Sequence, residues 1–226
     1  FYSSPSWDDW FGTDKFGRDV FARAVHATRL DITIGIVIAV LAMTVGSAIG
    51  VVSGYFGGWV DEVVMRLTDV VLAFPGFVLA LVLVAAIGNS IPNVVIAVTV
   101  AYIPYFIRLT RAQVLAEREL EYVDGGRLAG NRPLRIAFRH VLPNSIGPSL
   151  VQAALVAGWA ILTVAGLAFL GVGIRPPTSE WGVMVAEGAP DIVTGVWWTA
   201  LFPGGMIVAA AMAFQFIGDD LGAETL

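Results

Sequence analysis

The side chains that could make or break bonds are few in this sequence and lie far apart. Its one lysine, Lys15, follows Asp14, so the Gly-x-x-x-x-Gly-Lys-Ser/Thr loop that cradles nucleotide phosphates cannot form. Cysteine is absent, which removes disulfides and zinc–thiolate sites, and His26 and His140 are isolated from each other. We therefore predict no catalytic residue, no metal site and no cofactor bound by this chain.

The basic residues concentrate instead in one polar stretch, residues 108–144, between two long apolar runs. A polar segment rich in arginine between two membrane spans lies on the cytoplasmic side, by the positive-inside rule. We predict this orientation because the stretch holds seven of the 13 Lys and Arg residues: Arg108, Arg111, Arg118, Arg127, Arg132, Arg135 and Arg139.

Turn and helix signals within this stretch predict two short helices. Asp124 can cap the first helix, and Gly130 supplies a left-handed stop. Pro133 suits the first turn of the second helix, which should run to about Val141 before Pro143 breaks it. A solvated basic loop is the alternative, but a compact unit that binds a cytoplasmic protein explains better the recurring apolar residues Tyr122, Val123, Leu128, Leu134, Ile136, Phe138 and Leu142.

The order of these residues resembles the signature loop of ABC-importer permeases. That loop reads Glu-Ala-Ala, three residues, Gly and, after a spacer, Leu-Pro; here Asp124-Gly125-Gly126 replaces Glu-Ala-Ala. Each of these two glycines costs a helix interior about 1 kcal/mol relative to alanine, so a partner is expected to stiffen the loop. We call residues 117–143 the knob. The resemblance implies that it couples to ATPase subunits through Glu121, Tyr122, Asp124, Gly125, Gly126, Arg127, Gly130, Leu142 and Pro143.

Further runs narrow the resemblance to one branch of these permeases. Residues 11–20 resemble the G-T-D-x-x-G-R-D element of the dipeptide, oligopeptide and nickel type, in the subunit usually called C. The run Ser179-Glu180-Trp181-Gly182 is similar to the same branch. This branch transports short peptides, nickel chelates, glutathione, opines and related small polar solutes, and the sequence leaves the substrate open among them.

Composition agrees with a membrane protein. Hydrophobic residues make up 57% of the chain and charged residues 14%, whereas about a quarter of the residues of a soluble domain are charged. The net charge of −5 argues against a nucleic-acid partner. We predict an all-α polytopic protein with five spans, at residues 30–54, 59–87, 93–107 and beyond, 145–171, and one ending near 217. By resemblance this is a type I ABC importer transmembrane domain, with a sixth, N-terminal span expected upstream.

Two patterns within the spans predict specific contacts. A small residue recurs every four positions in the first span, which predicts close helix packing in lipid at Ala42, Gly46, Gly50 and Gly54. In the second span we predict a structural pair between Arg66 and Asp69, because a lone carboxylate at the bilayer centre would cost about 3 kcal/mol. The same span should kink or break at Phe74-Pro75-Gly76.

The cytoplasmic knob fixes the rest of the predicted topology. Residues 1–29 become an extracytoplasmic, interfacial segment, and residues 30–226 form the permease domain. An outer loop at residues 172–196, rich in acidic side chains, is expected to dip back into the membrane. The acidic tail at residues 218–226 ends inside, and the span expected upstream would make both termini cytoplasmic.

Two classes of function fit a chain of this kind. The resemblance implies a permease subunit of an ATP-driven importer of peptides or related solutes, in the bacterial or archaeal cytoplasmic (inner) membrane. Its implied partners are a homologous permease subunit forming a heterodimer, two ATPase subunits that hold ATP and Mg, and an extracytoplasmic solute-binding protein. The alternative is a stand-alone channel or an intramembrane enzyme. A channel has no need of the knob, and an intramembrane protease needs a Ser–His or Asp–Asp pair within its spans.

Overall fold

A computed structural model describes residues 2–224 of the chain, and the regular elements that it describes there are helices. Their bounds in chain order are α1 Val20–Phe56, α2 Gly58–Leu72, α3 Gly76–Ile87, α4 Ile91–Glu117, α5 Glu121–Leu128, α6 Pro133–Ile136, α7 Leu142–Ser145, α8 Gly147–Phe169, α9 Trp181–Gly188 and α10 Trp198–Glu224. A π-helical turn, Ala137–Val141, joins α6 to α7, and a 3₁₀ segment, Ala189–Thr194, follows α9.

Four of the described helices, α1, α4, α8 and α10, are long and apolar enough to cross a bilayer. Helices α2 and α3 pass the same test only as a pair, and they meet at 89° across the break before Gly76. Proline cannot donate a backbone hydrogen bond and disfavours helical geometry in its predecessor, so the chain turns at Pro75. The predicted helical membrane architecture and its break at Pro75 are confirmed, and α2 and α3 supply the fifth span if the bent pair is counted as one.

The first helix begins earlier than the predicted residue 30. Asp19 caps α1, its side chain accepting a hydrogen bond from the Phe21 backbone N–H at 2.8 Å, so the helix starts at Val20. At 37 residues α1 is longer than the roughly 20 that a bilayer requires. Its first turns lie before the predicted apolar run, and their buried face, with Val20, Ala24 and Ala27, packs against the N-terminal segment and the outer loop.

The small-residue stripe of α1 lies against α4. A Cβ atom built on Gly46 would come within 2.5 Å of the Phe106 Cβ and 2.8 Å of the Ile103 carbonyl oxygen. One on Gly50 would meet the Ile107 carbonyl oxygen at 2.8 Å. The two backbones can approach this closely only because glycine has no side chain at these positions. Such close packing stabilises the helix pair, since van der Waals contact drives helix association in lipid. Ala42 and Gly54 lie on the same buried stripe.

The predicted pair between Arg66 and Asp69 is wrong. Arg66 instead binds Glu62, one turn earlier, at 2.7 Å, and Asp69 accepts a bond from Arg108 of α4 at 2.6 Å. Both Glu62 and Asp69 lie at helical pairing distance from Arg66, so the sequence permits either pair. The face of α2 that carries Asp69 turns toward α4, and the ion pair with Arg108 forms between helices.

The last helix also extends beyond its predicted end. We predict an end near residue 217 followed by an acidic tail, but α10 continues to Glu224. Gln215 donates to Asp219 at 3.2 Å, one turn on, which supports the extra turns. The final residues of that tail, 225 and 226, lie outside the described residues.

Candidate functional site

The knob consists of two short helical segments joined by a tight turn. Helix α5 ends in a Schellman motif at Gly130, whose φ is +75°, with the Asn131 N–H bonded to the Gly126 carbonyl at 3.2 Å. The left-handed conformation explains the glycine, as the sequence predicts. Pro133 opens α6 as its first residue, also as predicted, since a helix start leaves its first N–H groups unpaired.

Two details of the predicted knob are wrong. Asp124 does not cap α5, because Leu120 holds the extended cap position and the helix starts four residues earlier than predicted, at Glu121. Asp124 lies in the first turn, where a carboxylate interacts favourably with the helix dipole. Pro143 does not end the second segment at Val141. The π-helical turn is followed by α7, and Pro143 occupies its first turn, where a missing N–H is tolerated.

The inner face of the knob packs on the ends of two long helices. Val123 of α5 is fully buried in an apolar cluster with Val51 of α1 and Val114 of α4. The second segment of the knob contributes Ile136 and Val141 to the same cluster. The knob therefore has its own small core, which is continuous with the helical bundle. A displacement of α5 must push on α1 and α4, because close-packed side chains transmit strain.

Polar contacts also hold α5 of the knob against α1 and α4. The Arg127 guanidinium binds Asp124 at 2.7 Å and lies 5.9 Å above the Tyr55 ring at the end of α1. The Tyr122 hydroxyl donates to Glu117 at 2.8 Å. Partial burial raises the pKa of the Tyr122 phenol, and the Glu117 carboxylate raises it further. The phenol therefore keeps its proton and remains a donor at neutral pH.

The outer face of the knob exposes apolar side chains among arginines. Leu128 is 90% exposed and Leu134 57%, far more than a solvated loop needs. Gly125 has open space on its Cβ side, whereas a Cβ on Gly126 would touch Ile136 at 3.7 Å. The surrounding side chains Arg132, Arg135 and Arg139 are also exposed. An apolar patch with a basic rim suits a protein partner.

A partly buried ion pair joins α2 to α4 next to the knob, and the sequence did not predict it. The Arg111 guanidinium of α4 binds both carboxylate oxygens of Asp61 of α2, each at 2.5 Å, and Ser53 of α1 donates to the same carboxylate. A bidentate pair of this kind fixes the relative orientation of its helices. Asp61 and Arg111 lie 50 residues apart, so no local spacing pattern indicates the pair.

On the opposite side of the bundle, the N-terminal motif folds as an ionic network. Asp14 binds Arg18 at 2.6 Å and Arg23 at 2.8 Å, and Arg23 also binds Glu187 of α9 at 2.9 Å. Burial opposes ionisation of Asp14, but hydrogen bonds from the Arg18 and Phe16 backbone N–H groups outweigh it and lower the pKa of its carboxyl group. The motif therefore ties residues 11–23 to the outer loop.

A second anchor joins the outer loop to α1. The Trp181 backbone N–H donates to Asp31 at 3.1 Å, and its indole N–H donates to the Ala24 carbonyl at 2.9 Å. Glu180 caps α9 by accepting from the Val183 N–H at 2.7 Å, and it is 1% exposed. Its other carboxylate oxygen, Oε1, is buried with no hydrogen-bond partner among the described residues, so burial raises the pKa of the Glu180 carboxyl group.

These side chains offer no metal centre. Within residues 2–224, no group of three or more His, Asp or Glu side chains is placed to hold a metal ion. The arrangement instead provides a packed bundle, an outer loop fastened to it, and an apolar, basic-rimmed knob at the other end. Such a structure can transmit movement between a partner and the bundle.

The family model and the relatives of known sequence that match this chain all describe transport-system permeases. Residues 46–219 match the model of the binding-protein-dependent transport system inner membrane component. The chain is 42% identical over 217 residues to the dipeptide transport system permease protein DppC of Alkalihalophilus pseudofirmus, covering 96% of this chain and 71% of that one. It is 40% identical to the glutathione transport system permease protein GsiD of Pectobacterium atrosepticum, with coverage of 96% and 72%.

Solved structures show the same fold at low sequence identity. The chain superposes on a chain of the inward-facing MetNI methionine ABC transporter with a TM-score of 0.67 and 18% identity. The match covers 89% of this chain and 96% of that one. This likeness supports the predicted type I importer architecture.

Proposed function

Because this chain belongs to the family of binding-protein-dependent transport system inner membrane components, we propose that its knob receives the movement of an ATPase subunit. The chain is a multi-pass permease subunit of a bacterial ABC importer. Family membership implies an ATPase and a solute-binding protein as partners in general. The proposal concerns the residues that make the connection and the way they act.

The exposed apolar face of the knob carries the proposal. Leu128 and Leu134 project from a unit whose opposite face, at Val123, is buried against α1 and α4. A groove on an ATPase that encloses the exposed face would move the knob as it closes on nucleotide. Movement of the knob would then rotate or shift the packed helices, which is the rigid-body route to alternating access.

The same proposal assigns the other subunits of the transporter. Two ATPase subunits would hold ATP and Mg, since this sequence has no Gly-x-x-x-x-Gly-Lys-Ser/Thr loop. A homologous permease subunit would complete the path as a heterodimer. The knob would lie on the cytoplasmic side of the bacterial inner membrane, and the outer loop would face the solute-binding protein.

The substrate proposed for this chain is a short peptide. Its relatives are named for dipeptide and glutathione transport, and another, of Escherichia coli, for probable D,D-dipeptide transport. These solutes share a peptide bond and a free carboxylate. Uptake of a panel of peptides, with the cognate solute-binding protein present, tests this assignment.

Copurification and a single substitution test the knob. ATPase subunits should copurify with the tagged wild-type chain. Gly125→Trp should lower uptake at least about fivefold, because overpacking a docked surface costs about 1–3 kcal/mol. Gly125 is preferable to Gly126 for this purpose, since a side chain at Gly126 would also disturb Ile136 within the knob.

Two matched variants control for folding and for the presence of tryptophan. Gly125→Ala adds only a methyl group and should retain uptake, because alanine favours the helix. Gly205→Trp places the same ring on α10, also in open space and away from the knob. Normal uptake by Gly125→Trp, at wild-type abundance in the membrane, would show that the knob is not the coupling site.

A further inference from the structure

A groove of about 570 Å³ lies between α1 and the outer loop, away from the knob, and polar side chains line it together with Leu30 and Pro177. His26, Arg29 and Thr33 of α1 line one wall, at spacings that place them on one face of the helix. Thr178 and Ser179 of the outer loop line the other wall. The groove is therefore rich in hydrogen-bond donors, and no acidic side chain lines it.

Arg29 is the distinctive residue of this groove. Its side chain is exposed, and among residues 2–224 it has no ion pair. By contrast, Arg18 and Arg23, in the same part of the molecule, are both paired with Asp14. An arginine within a membrane-spanning helix almost always faces the bundle interior or a water-filled cavity, and Arg29 lines this groove. Its planar fork of donors matches a carboxylate.

Buried contacts hold the two walls of the groove at a fixed separation. Trp181 bonds to α1 at Ala24 and at Asp31, and these two points bracket the segment that carries His26 and Arg29. Asp31 and Glu180 lie nearby, but they are only 3% and 1% exposed and accept bonds from backbone N–H groups of the outer loop. The donors of the groove are therefore preorganised, which lowers the cost of ordering them around a ligand.

We propose that this groove binds the terminal carboxylate of a transported peptide through Arg29, with His26 and the hydroxyl groups of Thr178 and Ser179 as further donors. This inference rests on the proposed function, since it takes the peptide class from there. It assigns to the permease itself a contact with the solute after release from the solute-binding protein.

Equilibrium binding to the purified permease–ATPase complex in nanodiscs tests the proposal without the solute-binding protein. The two probes are dialanine and its C-terminal amide, which differ only in the carboxylate. The wild-type complex should bind dialanine about tenfold more tightly than the amide, the effect of one charge-assisted hydrogen bond. Arg29→Ala should abolish that preference by weakening dialanine binding alone. Arg29→Lys should keep part of it, because it retains the charge without the planar fork.

Arg175→Ala is the matched control, since Arg175 is an exposed arginine of the same loop that does not line the groove. It should bind both probes as the wild type does. Equal weakening of both probes in Arg29→Ala would indicate a lipid phosphate or structural role and would overturn the proposal. Absence of preference in the wild type, or an unchanged preference in Arg29→Ala, would also overturn it.

Uptake measurements separate this failure from failure of the proposed function. If wild-type vesicles accumulate dipeptide on ATP hydrolysis but Arg29→Ala leaves the probe preference unchanged, only the carboxylate assignment is wrong. If wild-type vesicles supplied with ATP and the cognate solute-binding protein accumulate no peptide, the peptide class is itself wrong. Each variant must first copurify with its ATPase subunits in wild-type amounts.

Discussion

Substitution of Val123 by alanine tests whether the knob transmits movement through its packed core. Val123 is fully buried between α5 and the ends of α1 and α4. The change removes two methylene equivalents at about 0.8 kcal/mol each and leaves a small cavity, so we expect a loss of about 2 kcal/mol in the docking of α5. That energy corresponds to an increase of roughly 30-fold in the population of undocked α5.

The measurement is the ratio of peptide transported to ATP hydrolysed in vesicles that contain the complete complex. Val123 lies on the inner face, so the exposed face that would bind the ATPase is unchanged, and the ATPase subunits should still copurify. We expect ATP hydrolysis to continue while the transport ratio falls several-fold, because movement of the knob no longer reaches α1 and α4 in full.

Val208→Ala is the matched control. It makes the same change at a valine of α10 that is 54% exposed, and surface changes of this kind alter stability by no more than about 0.5 kcal/mol. The control should leave the transport ratio unaltered. A wild-type ratio in Val123→Ala, together with the expected loss of stability, would refute transmission through this cluster.

Two further outcomes follow from the packing and the charges. Gly46→Val should abolish stable insertion, measured as protein abundance in the membrane, because its Cβ would overlap Phe106 and the α4 backbone, whereas Gly205→Val should be tolerated in open space. Burial raises the pKa of Glu180, so the folded state holds that proton more tightly and its contribution to stability declines as pH rises above the ordinary glutamate range. Glu180→Gln keeps an acceptor for the Val183 N–H, and it should flatten the dependence of the unfolding midpoint on pH above the ordinary glutamate range; an unchanged slope would exclude Glu180 as its source.

The elements of the fold are predictable because their signals are local. Apolar runs of sufficient length indicate the spans, and proline at position 75 indicates the break between α2 and α3. Gly130 and Pro133 mark the turn within the knob, since each residue restricts its own backbone. Errors of several residues arise at helix ends, as at Val20, where a cap and tertiary contacts prolong the helix beyond the apolar run.

The candidate site was predictable only in part. Its position and its apolar residues follow from the sequence, but the sequence does not separate the buried Val123 from the exposed Leu128. That division depends on which way α5 lies against α1 and α4. The groove at Arg29 was not predictable either, because its second wall is about 150 residues further along the chain.

Sequence alone determined a helical membrane protein with an arginine-rich loop, a proline break and a stripe of small residues, because each of these depends on residues close together in the chain. Tertiary structure decided the ionic partners. The spacing in the sequence allows Arg66 to pair with either Glu62 or Asp69. In the structure the face of α2 that carries Asp69 lies toward α4, so Asp69 pairs with Arg108 and Arg66 pairs with Glu62. A charge pairs with whatever the packed helices bring within a few ångströms, and for Asp61, Asp69 and Glu187 those partners come from distant parts of the chain.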